Sequence, residues 1–229
     1  MTQSASRRHT HRGFESDLRD LNEALLAMAG RVEQMIAQAV RALFARDPRM
    51  AAEVKRADKQ VNDAEIAIDQ MCLHILARRQ PMGSDLRFLT RALKMVTDIE
   101  RMGDLSVNLA RQADGLARAG RPDLGVHPAI ERMAEVVRSM LSDALDAFVD
   151  RNTELARKVI ARDDEVDDLH DQICAEVLAL MKAQPEVLVV GLHVTEAARF
   201  LERMGDHATN LAEQVVFLVH AQDIRHLDL

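Results

Sequence analysis

The chain has no Trp and no Tyr, and six Phe supply its large aromatic rings. Only nine Gly and five Pro serve 229 residues, fewer than an all-β fold needs for its turns. The apolar content is Ala, Leu, Val, Ile and 12 Met, a composition that favours helices over strands. Two cysteines, Cys72 and Cys174, allow at most one disulfide; both sit in helix-like patterns, and two buried free thiols in a reducing cytosol are expected in its place. No apolar run approaches the roughly 20 residues that a membrane span requires. A net charge of -7 leaves no basic excess for a large nucleic-acid footprint. The basic start (Arg7, Arg8, His9, His11, Arg12) is followed by no apolar stretch, so it is no secretory signal. Residues 1–13 read as a flexible tail.

What is present is helical periodicity. Six long patterns appear, the first from about Phe14 to Arg46 with Leu18, Leu21, Leu25, Met28, Val32, Met35 and Ile36 spaced by three and four. Asp47-Pro48 reads as an N-cap and first helical residue, opening a second helix that runs to about Arg79. After Gln80-Pro81, Ser84 is expected to cap a third helix that continues to about Ala119. Residues 120–125, Gly-Arg-Pro-Asp-Leu-Gly, are the one obvious linker. A fourth helix is expected from about Pro128 to Arg151, a fifth from Asn152 to about Ala183, and a sixth from Gln184-Pro185 to about His220.

The chain repeats itself. A shift of 105 residues lays Asp47 on Asn152, Val54 on Val159, Asp58 on Asp163 and Val61 on Val166. A shift of 102 lays Glu100-Arg-Met-Gly-Asp104 on Glu202-Arg-Met-Gly-Asp206, and nine of the thirteen positions from Glu100 to Gln112 are identical. That density of identity makes the repeat a duplication. The expected fold is all-α: two tandem antiparallel three-helix bundles, residues 14–120 and 126–222.

Glu100, Asp104 and Asn108 form one stripe on a helix, as do Glu202, Asp206 and Asn210. The preceding helices carry matching stripes, Asp58, Asn62, Glu65 and Asp69 in the first half and Asp163, Asp167 and His170 in the second. Facing stripes would bring carboxylates together, and like charges at close range need a cation. Oxygen-rich sites suit Mg, Ca or Mn, and with an occasional His they suit Fe or Zn. The plainer reading is a solvated acidic face with local ion pairs, and Arg101 and Arg203 stand ready to make them. Gly103 and Gly205, each inside a helix at a cost of about 1 kcal/mol against Ala, point to close helix approach or room for a ligand.

Nothing here requires catalysis. There is no H-E-x-x-H, C-x-x-C or phosphate-cradling glycine loop. Asp167-x-x-His170 resembles half of a di-iron signature, but the two Glu-x-x-His motifs of the di-iron bundles are missing. His74, His193 and His207 show no regular ligand spacing and read as surface or core residues.

These motifs together resemble the PhoU family of bacterial phosphate-uptake regulators. Gly30-Arg-Val-Glu33-Gln, Gln80-Pro-x-x-Ser84-Asp85-Leu86-Arg87 and Gln222-Asp223-x-Arg225-His226 add to the likeness, which spans about residues 14 to 226. The resemblance implies a cytoplasmic two-bundle protein that dimerises and is not an enzyme. It further implies a negative regulator of the phosphate-starvation response, an adaptor between the phosphate ABC transporter and a membrane sensor histidine kinase. Such a protein binds no nucleic acid and meets the membrane only through these partners. Multinuclear iron or zinc at the repeated motifs is also implied, with Glu100, Asp104, Glu202 and Asp206 as ligands and Asp58, Asn62, Asp163 and Asp167 as co-ligands; Mg or Mn is the other option for an oxygen-rich site. Asn62 stands where the second copy has Asp167, so the two centres are expected to differ in affinity. Glu186-Val-Leu-Val replaces Ser-Asp-Leu-Arg in the second copy, so any role of Arg87 belongs to one half. The rival reading is a metal-binding carboxylate helical bundle, a metal store or oxidase; the absent Glu-x-x-His pair counts against it. A third is a purely structural helical scaffold.

Overall fold

The computed structural model describes residues 3–120 and 125–221, with side chains from residue 13 onward. Among these residues there are helices and no strands: α1 (Gln3–Ala45), α2 (Pro48–Arg79), α3 (Ser84–Arg118), α4 (Ala129–Asp150), α5 (Thr153–Ala161), α6 (Asp163–Ala183) and α7 (Leu188–His220). A single 3-10 turn, Pro185–Val187, leads into α7. Two of the three expected caps are in place. Asp47 accepts a hydrogen bond from Arg49 N at 2.8 Å, and Asn152 accepts from Glu154 N and Leu155 N, each at 3.1 Å. These bonds satisfy amide donors that a helix start leaves without partners.

Four expectations need correction. The stretch read as a tail is helical from Gln3; its Ser, Arg and His residues tolerate a helix, and one glycine at residue 13 costs too little to stop it. Ser84 is the first helical residue rather than a cap: Gly83 holds the cap position at φ 59°, and no side chain bonds there. The fifth helix is two segments, broken at Arg162. The Arg162 guanidinium reaches Ser139 Oγ and Asp143 Oδ2 on α4, both at 3.1 Å. The chain then restarts with Asp163, Asp164 and Glu165 in the first turn of α6, where negative charge favours the helix start. Cys72 is fully buried and Cys174 is not; both are free. The interior of the linker, residues 121–124, and the Gln222-to-His226 motif lie outside the described residues.

The repeat appears as a packing pattern. α2 buries Val54, Val61, Ile68 and Ile75 at intervals of seven, a narrow seam proper to an outer helix. α5 and α6 repeat it with Val159, Val166 and Ile173. In contrast, α3 and α7 each bury a wide surface and pack most extensively on each other. Alanines such as Ala92, Ala110, Ala197 and Ala212, all buried, keep the helices slim enough to approach. Each buried Leu, Ile or Met adds about 1.5–3 kcal/mol. α1 also touches α4, so α1, α3, α4 and α7 make the centre, with α2 on one flank and α5–α6 on the other.

Polar contacts cross the α3–α7 seam. Arg91 Nη1 donates to Gln214 Oε1 at 2.9 Å, Asp98 Oδ1 meets His207 Nδ1 at 2.9 Å, and Gln112 Oε1 meets His193 Nδ1 at 2.8 Å. As numbers rise on α3 they fall on α7, so the helices are antiparallel. Together with the 102-residue shift, this defines a pseudo-two-fold axis crossing the seam near Met102 and Met204. With 35 residues, α3 spans about 50 Å.

Candidate functional site

Both Glu-x-x-x-Asp motifs lie at mid-helix, close to the pseudo-two-fold axis. Each faces the outer helix of its own half. The glycine inside each motif makes this possible. A Cβ on Gly103 would stand 3.3 Å from Val61 Cγ1 and 3.6 Å from Asp58 Oδ1. A Cβ on Gly205 would stand 3.1 Å from Val166 Cγ1 and 3.3 Å from Asp163 Oδ1. The two glycines therefore serve the same close approach in both copies, and each lets an acidic residue of the outer helix sit directly over the motif.

The stripes meet as the spacing suggested. In the first half, burial and then the charge of Asp104 raise the pKa of Asp58. Glu100 is raised by burial, then by Asp104, with Glu65 and Asp58 adding to the effect and Arg101 opposing it. Glu65 is raised by burial and by Asp69. In the second half Asp163 is pushed up to about 6 by burial and the charges of Asp206 and Asp167. Asp206 is raised by burial and Asp167, and Glu202 by burial and Asp206 while His170 pulls it down. All eight residues singled out from the sequence thus fall into two acidic groups, four in each half. Asn62 donates through Nδ2 to Asp58 Oδ2 at 3.4 Å.

Arg101 answers part of this charge, lying 3.5 Å from Glu100 Oε2 and 3.2 Å from Asp104 Oδ2. It is 56% exposed, so water screens both pairs. Asn108 turns aside, accepting from Arg111 Nη1 at 2.8 Å.

Two observations match a cation-binding role for these groups. The oxygens Asp58 Oδ1 and Asn62 Oδ1 are buried and have no hydrogen-bond partner. The donor set is rich in carboxylate, the chemistry that hard divalent ions take. Among the described residues, no group of three or more His, Cys, Asp or Glu side chains is placed to hold a metal ion.

One residue of the second stripe escaped the sequence reading. Cys174 Sγ lies 3.4 Å from His170 Nε2, one helical turn away, and within electrostatic reach of Glu202. Its signal was in the sequence, since the 105-residue shift lays it on Asp69. The seam residues Asp98, His193 and His207 left no such mark, because their pairing depends on the direction in which α7 crosses α3.

Two copies of one three-helix unit, antiparallel across a central seam and each with an acidic stripe facing its motif helix, define a tandem-repeat helical-bundle protein. The sequence model of the PhoU domain matches this chain twice, at residues 25–113 and 130–215. The chain belongs to the PhoU family. A phosphate-specific transport system accessory protein PhoU homolog of Pseudomonas putida is 38% identical over 221 residues, covering 96% of this chain and 86% of that protein. The crystal structure of PhoU from Pseudomonas aeruginosa matches with a TM-score of 0.85 at 38% identity, covering 91% of this chain and all of that one. The phosphate transport system regulatory protein PhoU from Streptococcus pneumoniae matches at 0.83 and 27% identity, covering 92% of this chain and 98% of that one. Among the described residues, no helix is long and apolar enough to cross a membrane.

Proposed function

We propose that this protein is an accessory regulator of phosphate-specific transport. It holds uptake and the phosphate-starvation response in check when phosphate is plentiful. In this reading it is a cytoplasmic, non-catalytic, dimeric adaptor between the phosphate ABC transporter and a membrane sensor histidine kinase. The observation that carries the reading is similarity along nearly the whole chain to phosphate-specific transport accessory proteins, in both halves of the duplication. Central helices about 50 Å long support it, because two partners can dock on such a surface at once.

We further propose that the acidic groups bind divalent cations. Glu100 and Asp104 with Asp58 and Asn62 would hold one ion or cluster, and Glu202 and Asp206 with Asp163 and Asp167 the other. The buried, unbonded oxygens of Asp58 and Asn62 support this. A bound cation would offset the carboxylate repulsion and fasten each outer helix to its motif helix.

Deleting the gene tests the regulatory reading. Alkaline phosphatase activity should rise in phosphate-rich medium and fall again when the gene is restored. Unchanged repression in the deletion strain would refute it.

A further inference from the structure

The duplication is not exact at the start of the chain. α4 begins at Ala129, which the 105-residue shift lays on Ala24, whereas α1 begins at Gln3. The stretch of α1 before Ala24 therefore has no helical counterpart in α4. It lies along the far part of α2, where Asp17 Oδ2 accepts from Arg79 Nε at 2.8 Å. Between the two helices runs a groove of about 340 Å³, lined on the α1 side by Asp17 and Asp20 and on the α2 side by Gln70, Met71, His74 and Ile75. Beside it Ile66 and Leu73, 56% and 61% exposed, continue the apolar surface along α2. Ile66, Gln70, Leu73, His74 and Ala77 follow one another by three and four, so they share one helix face, and none carries a fixed charge.

In the second half the same places are changed. The shift lays Ile66 on Asp171, Met71 on Glu176 and His74 on Ala179. Glu176 Oε2 meets His127 Nε2 at 2.9 Å, where the chain enters α4. The groove belongs to the first half, and it comes from the extra length of α1.

We infer that this groove docks a basic amphipathic helix of a protein partner, with apolar side chains seated over Met71, Leu73 and Ile75 and Lys or Arg set against the acidic rim. The inference rests on the adaptor reading above and deepens it, giving one of the two partners a surface and a chemistry.

Charge selects the occupant. Asp20 and Glu23 are three residues apart on α1, both exposed, and neither has an ion-pair partner among the described residues. Asp63, exposed one turn before Ile66 on the α2 face, has none either. Among the described residues, no Lys or Arg lines the groove. The two at its end are turned to groove residues, Arg79 to Asp17 and Arg78 to His74, 3.2 Å away. An acidic segment or an anionic membrane would meet like charge at this rim. Length favours a helix over a small molecule. From Ile66 to Ala77 the face runs about 16 Å, or three turns. A partner helix laid along it would present residues i, i+4 and i+7, the pattern by which amphipathic helices fill grooves.

The test uses the full chain and two fluorescein-labelled helical peptides of about 18 residues, or five turns. They share one leucine face; one carries Lys on its polar face and the other Glu. Anisotropy should show saturable binding of the Lys peptide alone. Asp20→Lys and Leu73→Asp should each weaken it at least about tenfold, the effect of losing one strong contact. Asp168→Lys, which changes net charge equally in the other half, and Leu178→Asp, at the counterpart of Leu73, should leave it unchanged. In the deletion strain, D168K should restore phosphatase repression as the wild type does, while D20K and L73D should not. Binding of the Glu peptide or of phosphatidylglycerol vesicles in place of the Lys peptide would overturn the inference, as would equal affinity in wild type and D20K. A change from dimer to monomer in L73D on sedimentation would also overturn it, because the occupant would then be a second copy. Full repression by D20K and L73D, in a strain that the deletion derepresses, would overturn it and leave the regulatory reading standing. Unchanged repression in the deletion strain itself would overturn both.

Discussion

Gly115 on α3 is the tightest point of the central seam, and replacing it with Ala gives a test with opposite signs in two backgrounds. A Cβ there would stand 2.6 Å from Nδ1 of His193 and closer still to the Cε1–Nε2 edge of the ring. The ring would have to swing away, and with it would go the 2.8 Å contact to Gln112. A lost hydrogen bond of this kind costs about 1 kcal/mol, and overpacking adds about 1–3 kcal/mol. Against this, Ala in place of Gly inside a helix returns about 1 kcal/mol. The net expectation is a loss of about 1–3 kcal/mol for Gly115→Ala. In a His193→Ala background the obstruction is gone and only the helix term remains, so the same change should stabilise by about 0.5–1 kcal/mol. Urea melts of the four proteins of this cycle measure both numbers. Equal effects of Gly115→Ala in the two backgrounds would mean that His193 does not pack over Gly115, and the antiparallel seam as described would be wrong.

Other expectations follow from single contacts. Asp163, raised from an ordinary 3.8 to about 6, carries a penalty in the folded state at neutral pH, because burial and two like charges oppose its ionisation. A shift of roughly two units is worth about 3 kcal/mol at most, and partial exposure discounts it to about 1 kcal/mol. In excess chelator, Asp163→Asn should therefore raise the melting temperature by about 2–4 °C at pH 7–8. The gain should shrink as pH falls through 6 and vanish below about 4, where both states of the wild type are protonated; a gain that grows toward acid would contradict the assignment. Asn152→Ala should cost about 1 kcal/mol in thermal melts, since two amides at the start of α5 lose their acceptor. Phe148→Ala should cost about 3–5 kcal/mol, because its fully buried ring stacks on Phe88 at 4.8 Å across the two halves.

The legible parts of this molecule are those written in local spacing. The Asp47 and Asn152 caps, the apolar stripe of α1 and the repeated motif each depend on neighbours within a few residues. The meeting of acidic stripes was legible too, because the 105- and 102-residue shifts carry both members of each pair together. The break at Arg162 was not, since no Gly or Pro marks it. At the break a guanidinium reaches Ser139 and Asp143, about twenty residues back. Ala57 holds the matching place in the first half, and α2 runs through it unbroken. The His193 and His207 contacts were hidden for a similar reason. Each partner lies more than 80 residues away on α3, and only the direction of packing chooses it. Cys174 looked like a core thiol because helical periodicity does not tell which face of α6 meets the motif.

The account stands on the claim that this chain restrains phosphate transport. The most direct measurement is the initial rate of radiolabelled phosphate uptake in phosphate-rich medium, in a deletion strain with and without the restored gene. Uptake should run unrestrained in the deletion strain and return to the wild-type rate on restoration. Equal rates with and without the gene would contradict the account.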